Sequence, residues 1–250
     1  MHALLNSAEN IHLILIQEPW YDKVGMVRKD DAREGVDSLG GVASSAWELH
    51  YPATPGDTKA KVMAYSRKWA WEDTNSPLFF MVTTRLDLCT HPCLMVLEII
   101  HDSEKWYVIN FYNDVRDGSA LDALLQLDLD PLVPTLVTRD FNTHSCLWSL
   151  LTTAPSHWAW KVEEWAIWNL LTLANEKGVV TRQGAGNEPD MVLDLVWLNK
   201  AAVLKNSFHG LAIDWAGSLG SDHAMLRIMG DTYKPSKMPL QDHQNLGYVI

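Results

Sequence analysis

Two runs, IHLILIQ (Ile11–Gln17) and CLMVLEII (Cys93–Ile100), are apolar at nearly every position, odd and even alike. A strand with one face in water alternates apolar and polar residues, so these segments need cover on both sides. Further strand candidates surround them: AWELHY, KVMAYS, FFMVTTRL, WYVINFY, PTLVT, VVTRQ, MVLDLVWL, AAVLKNSF and HAMLRIM. Several follow one another as hairpins, with Asp102 to Glu104 as one turn. Many strands, few helices and doubly covered runs predict an α/β chain in four layers. Two packed, mixed, largely antiparallel sheets lie inside and helices outside.

Helices are few. His2 to Ala8 reads as a short helical piece, and Ser119 with Ala120 opens another to about Leu127. KVEEWAIWNLLTLANEKG gives the clearest pattern: Val162, Ala166, Leu170 and Leu173 share a face, and Gly178 stops it. Asp22 to Ser45 reads as loop. There is no internal repeat and no domain boundary before about residue 230, which divides the chain into a domain at 1–230 and a polar tail at 231–250.

At 250 residues and 47% apolar composition, one large domain with a substantial core is expected. The net charge of −11 argues against a protein that coats DNA non-specifically. It still permits a local positive groove, because acidic residues gathered around a metal lower the total. Three cysteines, Cys89, Cys93 and Cys146, are too few for a disulfide framework. CTHPC (Cys89–Cys93) lacks the second Cys/His pair of a zinc site, so free thiols in a reducing compartment are expected. With no run long enough for a membrane span and no signal-peptide pattern, the expectation is a soluble intracellular protein that does not engage membranes.

Polar groups collect at strand ends. Glu18 closes the first strand, Asp140 follows PTLVTR, and Asp222 with His223 precedes HAMLRIM. Inside MVLDLVWL, the period of two puts Asp194 on the face of Val192 and Val196. A carboxylate on an apolar face is expensive unless it is paired or bound to a cation. Each group alone has an ordinary explanation as a strand exit, an Asx turn or a loop pair. Converging carboxylates, however, are what a hard cation such as Mg²⁺ needs.

IQEPW (Ile16–Trp20), INFYND (Ile109–Asp114), RDFNTH (Arg139–His144), LDLVW (Leu193–Trp197) and SDH (Ser221–His223) follow in order. Together they resemble the successive motifs of the endonuclease/exonuclease/phosphatase superfamily. The likeness covers about residues 2 to 229 and is greatest to the apurinic-endonuclease-type domains of non-LTR retrotransposons, which also share HALLNSA and DFNxHxxLW. The resemblance implies an Mg²⁺- or Mn²⁺-dependent endonuclease that nicks DNA and leaves a 3′-hydroxyl, the primer such elements use for reverse transcription. It would be a monomer, and nuclear if functional.

By position, the resemblance makes Glu18 the principal metal ligand, with Asp222 assisting. Asp140 would orient or deprotonate the attacking water, and Asn142 would hold that carboxylate and the phosphate. His223 would bond a non-bridging oxygen, its tautomer fixed by Asp194. Tyr112, with Asn110 or Asn113, would contact the scissile phosphate, and His144 would lie at the rim.

The chain also departs from the family. The family's first strand, with an Asn at its end, has no counterpart before the first helix. Arg139 stands where the family has Gly, Ser145 where a second His is usual, and Val192 where Ser or Thr is common. These departures keep two alternatives open: a catalytically degenerate relic, and a phosphatase of the same superfamily.

Overall fold

A computed structural model describes residues 11–19, 44–52, 59–68, 80–101, 104–114, 116–205, 208 and 210–230, together with Leu5 and the backbone of 246–249. The helix expected at His2 to Ala8 (Leu5 excepted), the loop from Asp22, and residues 231–245 lie outside the described residues.

Among the described residues, twelve strands form two six-stranded sheets. The first runs β10 (Gly210–Asp214), β11 (Met225–Gly230), β12 (Leu246–Val249), β1 (Ile11–Gln17), β3 (Val62–Arg67), β2 (Trp47–His50). The second runs β4 (Phe80–Thr84), β5 (Leu94–His101), β6 (Glu104–Tyr112), β7 (Thr135–Asp140), β9 (Asp194–Leu198), β8 (Thr172–Leu173). Pairing is parallel only at β1–β12 and β6–β7 among these strands. This is the mixed, largely antiparallel architecture expected of the apolar runs.

Double cover explains those runs. Leu13 and Leu15 point with Val62, Leu226 and Ile228 into a layer shared with Met95, Leu97, Ile99, Val108 and Val196 of the other sheet. Ile14 turns to the opposite face, against Leu5, Trp47, Met63, Tyr65 and Met225. On the second sheet, Ile109, Phe111, Val137 and Trp197 pack under helices α1 (Ser119–Leu125) and α2 (His157–Trp168). No helix among the described residues is long and apolar enough to cross a membrane.

Four local expectations differ from the structure. The helix read over 161–178 is α2, which starts earlier, capped by Ser156, whose Oγ accepts from Ala159 N at 3.3 Å. It ends at Trp168, and Leu170 then turns left-handed at φ 52°. Leu173 consequently pairs with Trp197 in β8 rather than sharing the buried face of Val162 and Ala166. AAVLKNSF was expected as a strand, but Lys200–Leu204 is helix α3, because Asn199 Oδ1 caps it by accepting from Ala202 N at 2.9 Å. β10 falls where no strand was expected, and VVTRQ contributes only isolated bridges at Arg182.

Leu246–Val249, which the sequence places in the tail, form β12. That strand lies parallel to β1 and antiparallel to β11, and so joins the two parts of the first sheet.

Candidate active site

At one end of the stacked sheets, the ends of β1, β6, β7 and β9 and the segment before β11 surround a polar cleft of about 530 Å³. Glu18, Tyr112, Asp140, Asn142, Asp194, Asp222 and His223 all line it. Sheet register accounts for much of this convergence. Tyr112 lies beside Asp140 across the parallel β6–β7 pair, and Asp140 lies directly opposite Asp194 across β7–β9. Asp194 shares the inter-sheet face with Val196, as the period of two predicts; Val192 precedes the strand and packs on the helix side instead.

Asp140 is held by a single residue through two bonds. Its Oδ1 accepts from the backbone N–H of Asn142 at 3.0 Å and its Oδ2 from Asn142 Nδ2 at 2.9 Å. Asn142 Nδ2 also reaches the carbonyl of Asn113 at 3.0 Å. Burial, and then the facing charge of Asp194, push the Asp140 carboxyl up to about 7. A group near that value can accept a proton from water close to neutral pH.

Asp194 is 1% exposed and accepts from His223 Nδ1 at 2.8 Å through Oδ2. Burial alone would lower the His223 pKa, but the hydrogen bond and charge of Asp194 outweigh it and the net shift is upward. With Nδ1 so fixed, Nε2 is the ring nitrogen left for another acceptor. Thr181 steadies the other end of the pair: its Oγ1 accepts from the N–H groups of both Leu193 and Asp194, at 2.9 and 3.0 Å.

On the opposite wall, Tyr112 donates to Glu18 Oε1 at 2.8 Å, and Lys61 Nζ approaches the same oxygen at 3.7 Å. Burial and this bond to Glu18 push the Tyr112 phenol well above its usual range. Asp222 Oδ2 accepts from Arg182 Nε at 3.1 Å. Among the described residues no three His, Cys, Asp or Glu side chains stand close enough to cage a metal ion. The described residues alone therefore form no protein-only cage. A cation held as Mg²⁺ often is, by one or two carboxylates with water and substrate phosphate, does fit: both contacts to Glu18 use Oε1, and the Asp222 contact uses Oδ2.

Two residues expected at the substrate lie elsewhere. Asn110 is fully buried between the sheets, where Nδ2 donates to the carbonyls of Ile16 at 3.2 Å and Met63 at 2.9 Å and Oδ1 accepts from Gln17 Nε2. Asn113 is fully buried and donates to the Phe141 carbonyl at 2.9 Å. Both hold backbone beneath the cleft. His144 is exposed, and it is absent from the cleft lining.

Gln17 and Arg182 line the cleft without having been singled out in the sequence. Arg182 sits in a bridge to His223, a long-range pairing with no local signal. Arg139, noted only as a departure, also lines the cleft, with one guanidinium nitrogen 3.5 Å from Asp194 Oδ1. Three non-glycine cleft residues have positive φ: Glu18 at 45°, Arg139 at 116° and Asn142 at 47°. Such strain persists only where the surroundings enforce it.

Comparison with known proteins bears out the family resemblance read from the motifs. Residues 106–227 match the endonuclease–reverse transcriptase family. The endonuclease domain of TRAS1, a telomere-specific non-LTR retrotransposon, superposes with a TM-score of 0.63 at 15% identity, over 89% of this chain and 87% of that one. An endonuclease/exonuclease/phosphatase family protein from Leptotrichia buccalis C-1013-b gives 0.51 at 12% identity, over 90% and 89%. At such identities the likeness is one of fold, and the fold is that of the endonuclease/exonuclease/phosphatase proteins. Comparison with curated proteins finds no match.

Proposed function

We propose that the protein is a divalent-metal-dependent phosphodiesterase that nicks DNA and leaves a 3′-hydroxyl. One observation carries this reading: Glu18, Asp140, Asn142, Asp194, Asp222 and His223, dispersed over more than two hundred positions of the sequence, meet in a single cleft. The matched family and the TRAS1 endonuclease fold support DNA as substrate.

In this reading Asp140, held by Asn142, orients the attacking water and takes its proton. His223 donates through Nε2 to a non-bridging phosphate oxygen, with Asp194 fixing its tautomer and sustaining its charge. Tyr112 keeps Glu18 in place and adds a hydroxyl on the phosphate side. Glu18, assisted by Asp222, would hold Mg²⁺ or Mn²⁺, whose charge would offset that developing on the phosphate oxygens.

One observation favours a competing reading, an inert relative. Arg139 places a fixed positive charge beside Asp194, where the family has Gly. The two are separated by incubating supercoiled plasmid with the protein and Mg²⁺. Nicking that disappears with chelator, with Asp140→Ala and with Glu18→Gln is the expected result. Nicking that survives Asp140→Ala refutes the site assignment, and no nicking by the unmodified protein under any divalent ion supports the inert relative.

A further inference from the structure

Arg139 is the least settled group in the cleft. Alternation along β7 would send its side chain to the face of Val137, toward the helices. Instead the backbone takes φ 116°, a region left almost entirely to glycine, and the side chain lies in the cleft at 14% exposure. Its Nε is buried with no hydrogen-bond partner among the described residues. Its one ion pair among the described residues, to Asp194 Oδ1, is 3.5 Å long, and that oxygen has no hydrogen bond to any of them either.

Other arginines show what a self-contained pair looks like in this fold. Arg85 grips Asp87 with two bonds of 2.8 and 2.6 Å, and Arg116 grips Asp114 with two of 2.9 and 2.7 Å. Arg139 makes neither bond of that kind. A strained backbone thus carries a largely desolvated cation into a polar cleft, with one terminal nitrogen only loosely set against Asp194 and Nε unpaired among the described residues. Burying a charge without hydrogen bonds is costly unless a ligand completes them. The ligand that fits a guanidinium fork at an open cleft is an anion with two adjacent oxygens, such as a phosphate.

We propose that Arg139 is a substrate-contacting residue that takes a non-bridging oxygen of a phosphodiester in this cleft. It therefore supplies from the protein a share of the positive charge at the phosphate. The assignment rests on the phosphodiesterase reading for the identity of the anion; the unpaired Nε and the loose ion pair stand without it.

The test counts phosphate contacts. A short fluorescently labelled DNA duplex is titrated with the full chain in chelator, so that no divalent ion bridges the two, and affinity is followed by anisotropy across a salt series. Each lost phosphate contact lowers the slope of log affinity against log salt by about 0.9. Arg139→Gln and Arg139→Gly are both expected to show that loss, so their disadvantage relative to the unmodified protein shrinks about eightfold per tenfold rise in salt. Arg139→Lys keeps the charge and is expected to keep the slope. Arg139→Gly suits the backbone at φ 116°, so it serves as the folded control if Arg139→Gln is unstable.

An unchanged slope in the folded glycine variant overturns the proposal, and so does tighter binding, which would make the guanidinium an obstruction. If the protein nicks DNA yet the slope is unchanged, the contact fails and the phosphodiesterase reading stands. If the slope falls but no nicking occurs with any divalent ion, the contact stands and that reading fails. No DNA binding by the unmodified protein in chelator at low salt overturns the contact, while nicking with a divalent ion still decides the phosphodiesterase reading.

Discussion

Replacing Asp140 by Asn is expected to stabilise the protein at neutral and higher pH while abolishing activity. The folded state holds the Asp140 carboxyl at about 7, against an ordinary value of 3.8. The cause is burial, then the Asp194 charge across the strand pair. Between those values the folded protein carries more protons than the unfolded chain, so stability falls as pH rises through this window. Below the window both states are protonated and the penalty vanishes. Above it the penalty is complete, at roughly 4 kcal/mol for a shift of about three units.

The amide removes that penalty but loses one of the two bonds made by Asn142, a pH-independent cost of about 1–2 kcal/mol. Urea unfolding of both proteins at about pH 5 and about pH 8 isolates the effect. The stability of the variant minus that of the unmodified protein should grow by about 2–3 kcal/mol between the two. A difference independent of pH would refute the reasoning, because the carboxyl would then ionise alike in both states.

Thr181→Val keeps the shape of a fully buried side chain but strips the acceptor shared by Leu193 and Asp194 N–H. A loss of about 2–4 kcal/mol is expected, seen in calorimetry as a Tm lower by about 5–10 °C; an unchanged Tm would mean those amides find other partners. Ending the chain after Gly230 removes β12 and leaves facing edges on β1 and β11 without their ladder. Hydrogen exchange should then lose protection at both strands together, whereas unaltered exchange would place residues 246–249 outside the sheet in solution.

How much of this was legible in the sequence depends on the range of the interaction that decides each feature. Ile11–Gln17 announced a doubly covered strand because its apolar residues lie consecutively, and the two faces of β1 are indeed covered by different clusters. Glu18, Asp140, Asp194 and His223 were legible as ordered motifs. Asp194 was legible on physical grounds too, as a charge on an apolar face that had to find a partner, and it found His223.

Features fixed by tertiary contact were hidden. Nothing local says that Leu173 leaves the helical pattern to pair with Trp197, or that Arg182 bridges to His223. Asn110 or Asn113 was expected at the phosphate only because the family resemblance implies it. Only the packed structure shows that Asn110 has two backbone carbonyls of the facing sheet to satisfy. That bond set is a different contribution to the site: it ties β6 to β1 and β3, and so fixes the spacing between Glu18 and Tyr112, which close the same wall of the cleft.

The same arithmetic that makes Asp140→Asn stabilising explains why the cleft is built as it is. Two carboxylates directly opposite on neighbouring strands repel, and both are buried. The chain offsets this with His223 on one oxygen of Asp194, Arg139 near the other, and the amide of Asn142 on Asp140. His223 comes from a distant segment, Arg139 and Asn142 from the end of β7, and polar atoms stay unpaired around them among the described residues: Nε2 of the imidazole, Nε of the guanidinium and, on the opposite wall, an oxygen of Glu18. A fold stabilised for its own sake would pair these groups internally, as Arg85 and Asp87 are paired at the surface. Incomplete pairing in a cleft that opens to solvent is the pattern expected of a phosphate site, and under the proposed function the cost at Asp140 and the unpaired Nε of Arg139 would have a common cause.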